Sequence, residues 1–218
     1  MPIPPADHLG AVTRGLHTVE RDGQPMKVLT AERTYPALPE EVWDAITDPE
    51  RIPRWIGGAV TGDLRLGGRY QIEGNAGGEI LECEPPKRLA LTWEYDGTTW
   101  VDATLVSVGD GTLLHLEHTA PVPPEMWAQF GPGAVGIGWE SMLMGLAEHL
   151  AAPDADMDAL RTWLEGPEGR PYLVEFMTGS SDHWVEASIA FGTDPDEARA
   201  AGERCAAAYT AEPERASE

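Results

Sequence analysis

Basic side chains are scarce in this 218-residue chain: 15 Lys and Arg stand against 37 Asp and Glu, a formal net charge of −22. Nucleic-acid binding rests on neutralising phosphates with cations, so this balance argues against a DNA or RNA partner. It argues equally against an anionic membrane surface, and its plain consequence is solubility. Cysteine is nearly absent: Cys83 and Cys205 lie far apart with no CxxC, which excludes a disulfide framework and a thiolate metal site. Long hydrophobic runs are missing, so no segment reads as a membrane span. The opening MPIPPADHLG has no charged stretch leading into an apolar one, so no signal peptide is read there and the chain is expected in the cytoplasm. Metal chemistry has no motif to carry it. There is no HExxH, and Asp154, Asp156 and Asp158 alternate without the glycine and distal glutamate of a calcium loop. No GxSxG elbow occurs. Gly67-Gly68 and Gly77-Gly78 read as turn glycines rather than a phosphate cradle. No cofactor is called for.

What is present has a clear order. Residues 1–25, rich in Pro, Gly and charge, read as a flexible N-terminal arm. Met26–Tyr35 has β-branched and aromatic content and reads as a first strand. Pro39 followed by Glu40 and Glu41 opens a helix through Ile46, since proline suits the first turn and acids favour the positive end of the dipole. A second short helix ends near Trp55. From residue 60 to 119 the hydrophobic period drops to two. Leu89, Leu91, Trp93 and Tyr95 alternate with polar neighbours, as do Val101, Ala103 and Leu105, then Leu114, Leu116 and His118. Short turns between such strands make an antiparallel meander with one buried face. Residues 134–151 read as a long amphipathic helix, with Trp139, Leu143, Leu146 and Leu150 at helical spacing and Met142 beside them. The fold class is therefore α+β.

Residues 153–218 read as a helical C-terminal extension. Asp158–Leu164 is a short helix, and Pro171–Phe191 a longer one interrupted at Gly179-Ser180-Ser181. The last runs from an Asp194 cap through Tyr209. Trp163, Tyr172, Phe176, Trp184 and Phe191 supply apolar anchors, so the extension is expected either to pack back on the domain or to build a homodimer interface.

Several segments, taken in order, resemble SRPBCC-superfamily (START-like) domains. They are Arg33-Thr34-Tyr35-Pro36-Ala37, Pro39-Glu40-Glu41-Val42-Trp43, Thr47-Asp48-Pro49-Glu50, Gly67-Gly68-Arg69-Tyr70, Glu79-Ile80-Leu81-Glu82, Thr92-Trp93, Leu114–His118 and Trp139–Leu150. More narrowly they resemble the branch named after homologues of the activator of the heat-shock-protein ATPase, over about residues 26–151. Ser181-Asp182-His183-Trp184 and Gly192-Thr193-Asp194-Pro195 are similar to an extension carried by some bacterial members. The resemblance implies a helix-grip fold in residues 26–152, a curved antiparallel sheet wrapped around the long helix with a cavity between them. Members include lipid and polyketide binders, cyclases and dehydratases, and chaperone activators; fold alone does not choose.

Through that resemblance Trp55, Tyr70, Trp93 and Trp139 are placed near the cavity, and Met142 and Leu143 on its helical wall. Each is also an ordinary core residue. Trp and Tyr join a large apolar area to a polar tip, which suits a hydrophobic ligand. His118 shares the face of Leu114 and Leu116; it reads as a satisfied core histidine, or as a ligand contact or proton carrier. His115 faces the other way and reads as solvated, and His149 as a cation at the helix C-terminus. Glu94 and Asp102 alternate away from the cavity, so no catalytic acid is nominated. The leading expectation is binding of a small hydrophobic molecule. One alternative is cyclase or dehydratase chemistry using His118 and Tyr70. Another is chaperone-ATPase activation or other protein interaction.

Overall fold

The computed structural model describes residues 2–211. Helix α1 (Pro5–Gly10) leads into β1 (Val12–Arg21) and β2 (Gln24–Tyr35), followed by α2 (Pro39–Thr47) and α3 (Ile52–Ile56). The meander follows as β3 (Val60–Gly62), β4 (Arg69–Ile72), β5 (Gly77–Glu84), β6 (Arg88–Glu94), β7 (Thr98–Val108) and β8 (Gly111–Ala120). Five helices complete the described chain: α4 (Pro124–Phe130), α5 (Gly133–Ala151), α6 (Met157–Glu165), α7 (Arg170–Phe191) and α8 (Pro195–Thr210). All pairings are antiparallel, in the order β1-β2-β8-β7-β6-β5-β4-β3, so β2 returns to close on β8 from Lys27↔Ala120 to Tyr35↔Thr112. The sheet grips α5, as a helix-grip fold requires.

The expectation of a loose arm over residues 1–25 is corrected: its described residues hold α1 and an edge strand. β1 pairs with β2 from Val12↔Arg33 to Arg21↔Gln24 across a two-residue turn, Asp22-Gly23, where both residues take positive φ (54° and 75°). That dipeptide is a strong hairpin signal. Composition hid it because an edge strand is held largely by ladder hydrogen bonds and keeps much of its polar surface in water; most of β1 is exposed or half-buried.

α5 lays Ile137, Trp139, Leu143 and Leu146 against the inward residues of the meander, including Leu89, Leu91, Val101, Leu114 and Leu116. It is not a simple amphipathic helix with one wet side, however. Helix α7 covers it from the other direction, with Phe176 (1% exposed) against Met144 and Trp184 (0%) at Gly136. A Cβ at position 136 would collide with the Trp184 ring, so glycine there lets the indole rest on the helix backbone. The extension thus packs back on the sheet-and-helix body. α7 also runs unbroken through Gly179-Ser180-Ser181, where a break was expected. The small side chains serve close packing: Gly179 faces Leu9, and the Ser181 hydroxyl donates to the Gly202 carbonyl of α8 at 2.9 Å. Asp194 caps α8 as read, accepting from the amides of Asp196 and Glu197. Residues 212–218 of the expected extension lie outside the described residues.

Candidate functional site

Between α5 and the sheet is an apolar hollow of about 100 Å³. Its walls are apolar side chains from β4, β6, β7 and β8 on one side and α5 on the other. Ile46, Ile52, Ile56, Val60 and Leu64, from α2 to the β3–β4 loop, close one end. Six of the seven candidate side chains, Trp55, Tyr70, Trp93, Trp139, Met142 and Leu143, line it. The closing residues from α2, α3 and β3 were not read from the sequence. α3 and β3 have too few residues to show a period, and the spacing within α2 does not say what its apolar face meets.

Three of the four aromatic residues lining the hollow spend their polar tips on partners within the protein. Trp55 Nε1 donates to the Ala45 carbonyl at 2.9 Å, and the Tyr70 hydroxyl to the Thr92 carbonyl at 2.8 Å. Trp139 Nε1 donates to His118 Nδ1 at 2.8 Å. An indole N–H can only donate, so Nδ1 is the acceptor and the ring proton of neutral His118 sits on Nε2. That proton points to Thr99 Oγ1, 2.8 Å away, and Thr99 donates to the Trp93 carbonyl at 3.0 Å. Burial holds the His118 pKa down at about 4, so the ring is neutral near pH 7.

His118 therefore does not reach the hollow. Trp139 stands between them, its ring packed edge-on to His118 (5.7 Å between centroids) and tilted against Trp93 (5.0 Å). His118 instead borders a separate cleft of about 340 Å³, with Asn75, Tyr95, Asp96 and Tyr209. Tyr70 is likewise spent on a backbone carbonyl, and burial raises its pKa well above the usual phenol value. The His118–Tyr70 pair needed for proton transfer is not formed, and the hollow's described walls offer a ligand ring faces and hydrocarbon only. Glu94 and Asp102 lie outside, as alternation requires, paired with Arg69 (2.7 Å) and Arg88 (2.6 Å).

Two other histidines differ from expectation. His149 is buried, and burial followed by nearby Arg51 and Arg54 lowers its pKa, so it is no cation for the helix terminus; Nε2 accepts from Arg51 at 3.3 Å. His115 is half-buried rather than free in solvent, held between Glu32 (2.8 Å) and Glu117 (3.2 Å). Across α5 from the hollow runs a polar network that sequence reading missed. Arg14 and Glu140 form a buried bidentate pair at 2.6 Å, and His8 bridges Glu148 and Arg33 at 3.0 Å on each side. Its members are up to 140 positions apart, and the only local sign was a pair of glutamates inside the apolar run of α5. Among the described residues no group of His, Cys, Asp and Glu could hold a metal ion, and no helix is long and apolar enough to cross a membrane.

Residues 36–151 match the family described as "Activator of Hsp90 ATPase homolog 1-like protein". CalU16 from Micromonospora echinospora is similar over most of both chains. Its crystal structure has 33% identity and a TM-score of 0.60, covering 83% of this chain and 98% of CalU16. Its solution structure has 32% identity and a TM-score of 0.65, with 84% and 97% covered. Protein MLL2253 from Mesorhizobium loti has 27% identity and a TM-score of 0.51, covering 59% of this chain and 98% of its own. No curated protein matches the chain. The likeness to CalU16 extends beyond the family's stretch, into elements that flank residues 36–151.

Proposed function

The chain belongs to the family of activator of Hsp90 ATPase homolog 1-like proteins, with that family's helix-grip fold, and we propose that it binds a small apolar molecule in the hollow between sheet and α5. The observation that carries this is a hollow of about 100 Å³ between sheet and helix, lined almost wholly by apolar side chains. Apolar cavities of comparable size stay free of water and accept guests the size of one aromatic ring. The four aromatic faces supply that kind of contact. Family and fold favour ligand binding or chaperone-ATPase activation; the hollow supports the first, and a coupled ATPase assay with the chaperone addresses the second separately.

Thermal shift and native mass spectrometry with toluene and indole test the proposal. Both compounds are expected to raise the melting temperature of the wild-type chain. Ala103→Met should fill the hollow from β7, keep or raise the melting temperature, and abolish the ligand-dependent shift. A wild-type chain that responds to neither compound, or a variant that responds as the wild type does, overturns it.

A further inference from the structure

Met142 lines not only the hollow but also a groove on the far side of α3, of about 280 Å³. This groove is made where α6 and α7 of the extension lie over α3 and α5. Its apolar walls are Trp55, Ile56, Met142 and Met144 from the body and Met157, Leu160 and Leu164 from the extension. Trp55, Ile56 and Met142 form the partition between groove and hollow, since each lines both. In volume the groove approaches the lower end of small-molecule sites.

The polar side chains around it divide into two groups. Ser141 donates to the Ile137 carbonyl (2.8 Å), Tyr172 to the Ile3 carbonyl (2.6 Å), and Glu148 accepts from the Ile3 amide and His8. These are satisfied within the protein. The remaining two are guanidinium groups. Arg54 has no ion-pair partner or side-chain hydrogen bond among the described residues; Arg161, reaching over Gly57 at the end of α3, holds only the exposed Asp158 through Nη1 (2.7 Å). An apolar trough with two available guanidinium groups is complementary to one ligand chemistry, a hydrocarbon tail with a single carboxylate head.

We propose that this groove is a second binding site, for a medium-chain alkyl carboxylate, with the tail against Met142, Met144, Leu160 and Leu164 and the head at Arg54 and Arg161. The site requires the extension, because three of its seven apolar wall residues and one of its two cations come from α6. Methionine, unbranched and with three rotatable bonds, lets the trough adapt to tails of differing length.

Decanoate and decanol are the probes, by calorimetric titration of the full chain. Decanoate is expected to bind the wild type about tenfold or more tightly than decanol, the usual worth of a charged hydrogen bond. The double variant Arg54→Gln/Arg161→Gln should remove that preference while leaving decanol unchanged. Leu160→Trp, which fills the groove and does not line the hollow, should abolish decanoate binding while the response to toluene persists. Should Leu160→Trp fail to fold, Leu160→Gln is expected to weaken decanoate by about tenfold through the lost apolar contact. Ala103→Met separates this site from the hollow and should leave decanoate binding intact. Absence of decanoate binding, equal binding of decanoate and decanol, indifference to the Leu160 variants, or loss of binding in Ala103→Met each overturns the second site. The toluene response reports on the hollow independently.

Discussion

His115 and His118 stand three residues apart on β8, face opposite sides of the sheet, and titrate in opposite directions. For His115, burial works to lower the pKa, but hydrogen bonds to Glu32 and Glu117 outweigh it and the value is raised. Its contribution is present below the unfolded value of 6.5 and is lost as pH rises through the folded one. For His118 burial alone lowers the pKa, from 6.5 to about 4. The unfolded chain then takes up a proton that the folded chain refuses, so this contribution is full above pH 6.5 and is lost as pH falls toward 4. Between pH 7 and pH 4.5 the wild type is expected to lose ~2–3 kcal/mol more stability than His118→Gln, measured by denaturant unfolding. Equal losses would refute the assignment. Alternation along β8 made the inward face of His118 legible, but not its partners. Trp139 and Thr99 are 21 and 19 positions away, and nothing local says that an indole will stand between the imidazole and the hollow.

At the scale of elements, the meander and α5 were legible because their periods, two and 3.6, report which side is dry. The inward residues Leu89, Leu91, Leu114 and Leu116 follow directly. Small residues were misread instead. Gly179-Ser180-Ser181 carries the composition of a break, yet it is the surface against which α1 and α8 close. Gly136 is its counterpart on α5, and the two helices meet there through Trp184. Gly136→Ala is expected to cost ~1–3 kcal/mol by overpacking, and Trp184→Ala ~3–5 kcal/mol by leaving a cavity. The two effects should not add: once the indole is gone, Gly136→Ala should cost almost nothing, which a double-mutant cycle measures. Additive losses would show that the ring does not rest on the glycine.

Over the whole molecule, the C-terminal helices are part of the core rather than an appendage. Trp184 and Cys205 belong to the same buried cluster as Ile137, Leu91 and Leu116. Ending the chain at Ala152 is expected to strip Met144 and Ile137 of cover, lower the melting temperature and increase binding of a hydrophobic dye. A shortened chain as stable as the full one would contradict this. The surface carries the net charge of −22, and mutual repulsion between copies follows from it. Of the five aromatic anchors of the extension, Phe176 and Trp184 are buried inside one chain, and Trp163, Tyr172 and Phe191 are half-buried.

The pairing of β2 with β8 also has a temporal side. The first hairpin is complete once residue 35 has been made, but its inner neighbour is complete only at residue 120. A chain emerging from the ribosome therefore carries β2 with an unoccupied edge while α2, α3 and five strands are still being added. Sheet closure is the long-range event here, of the kind that sets folding rates. Until it happens α5 has no complete concave face to enter. The hollow is thus among the last features of the molecule to take shape.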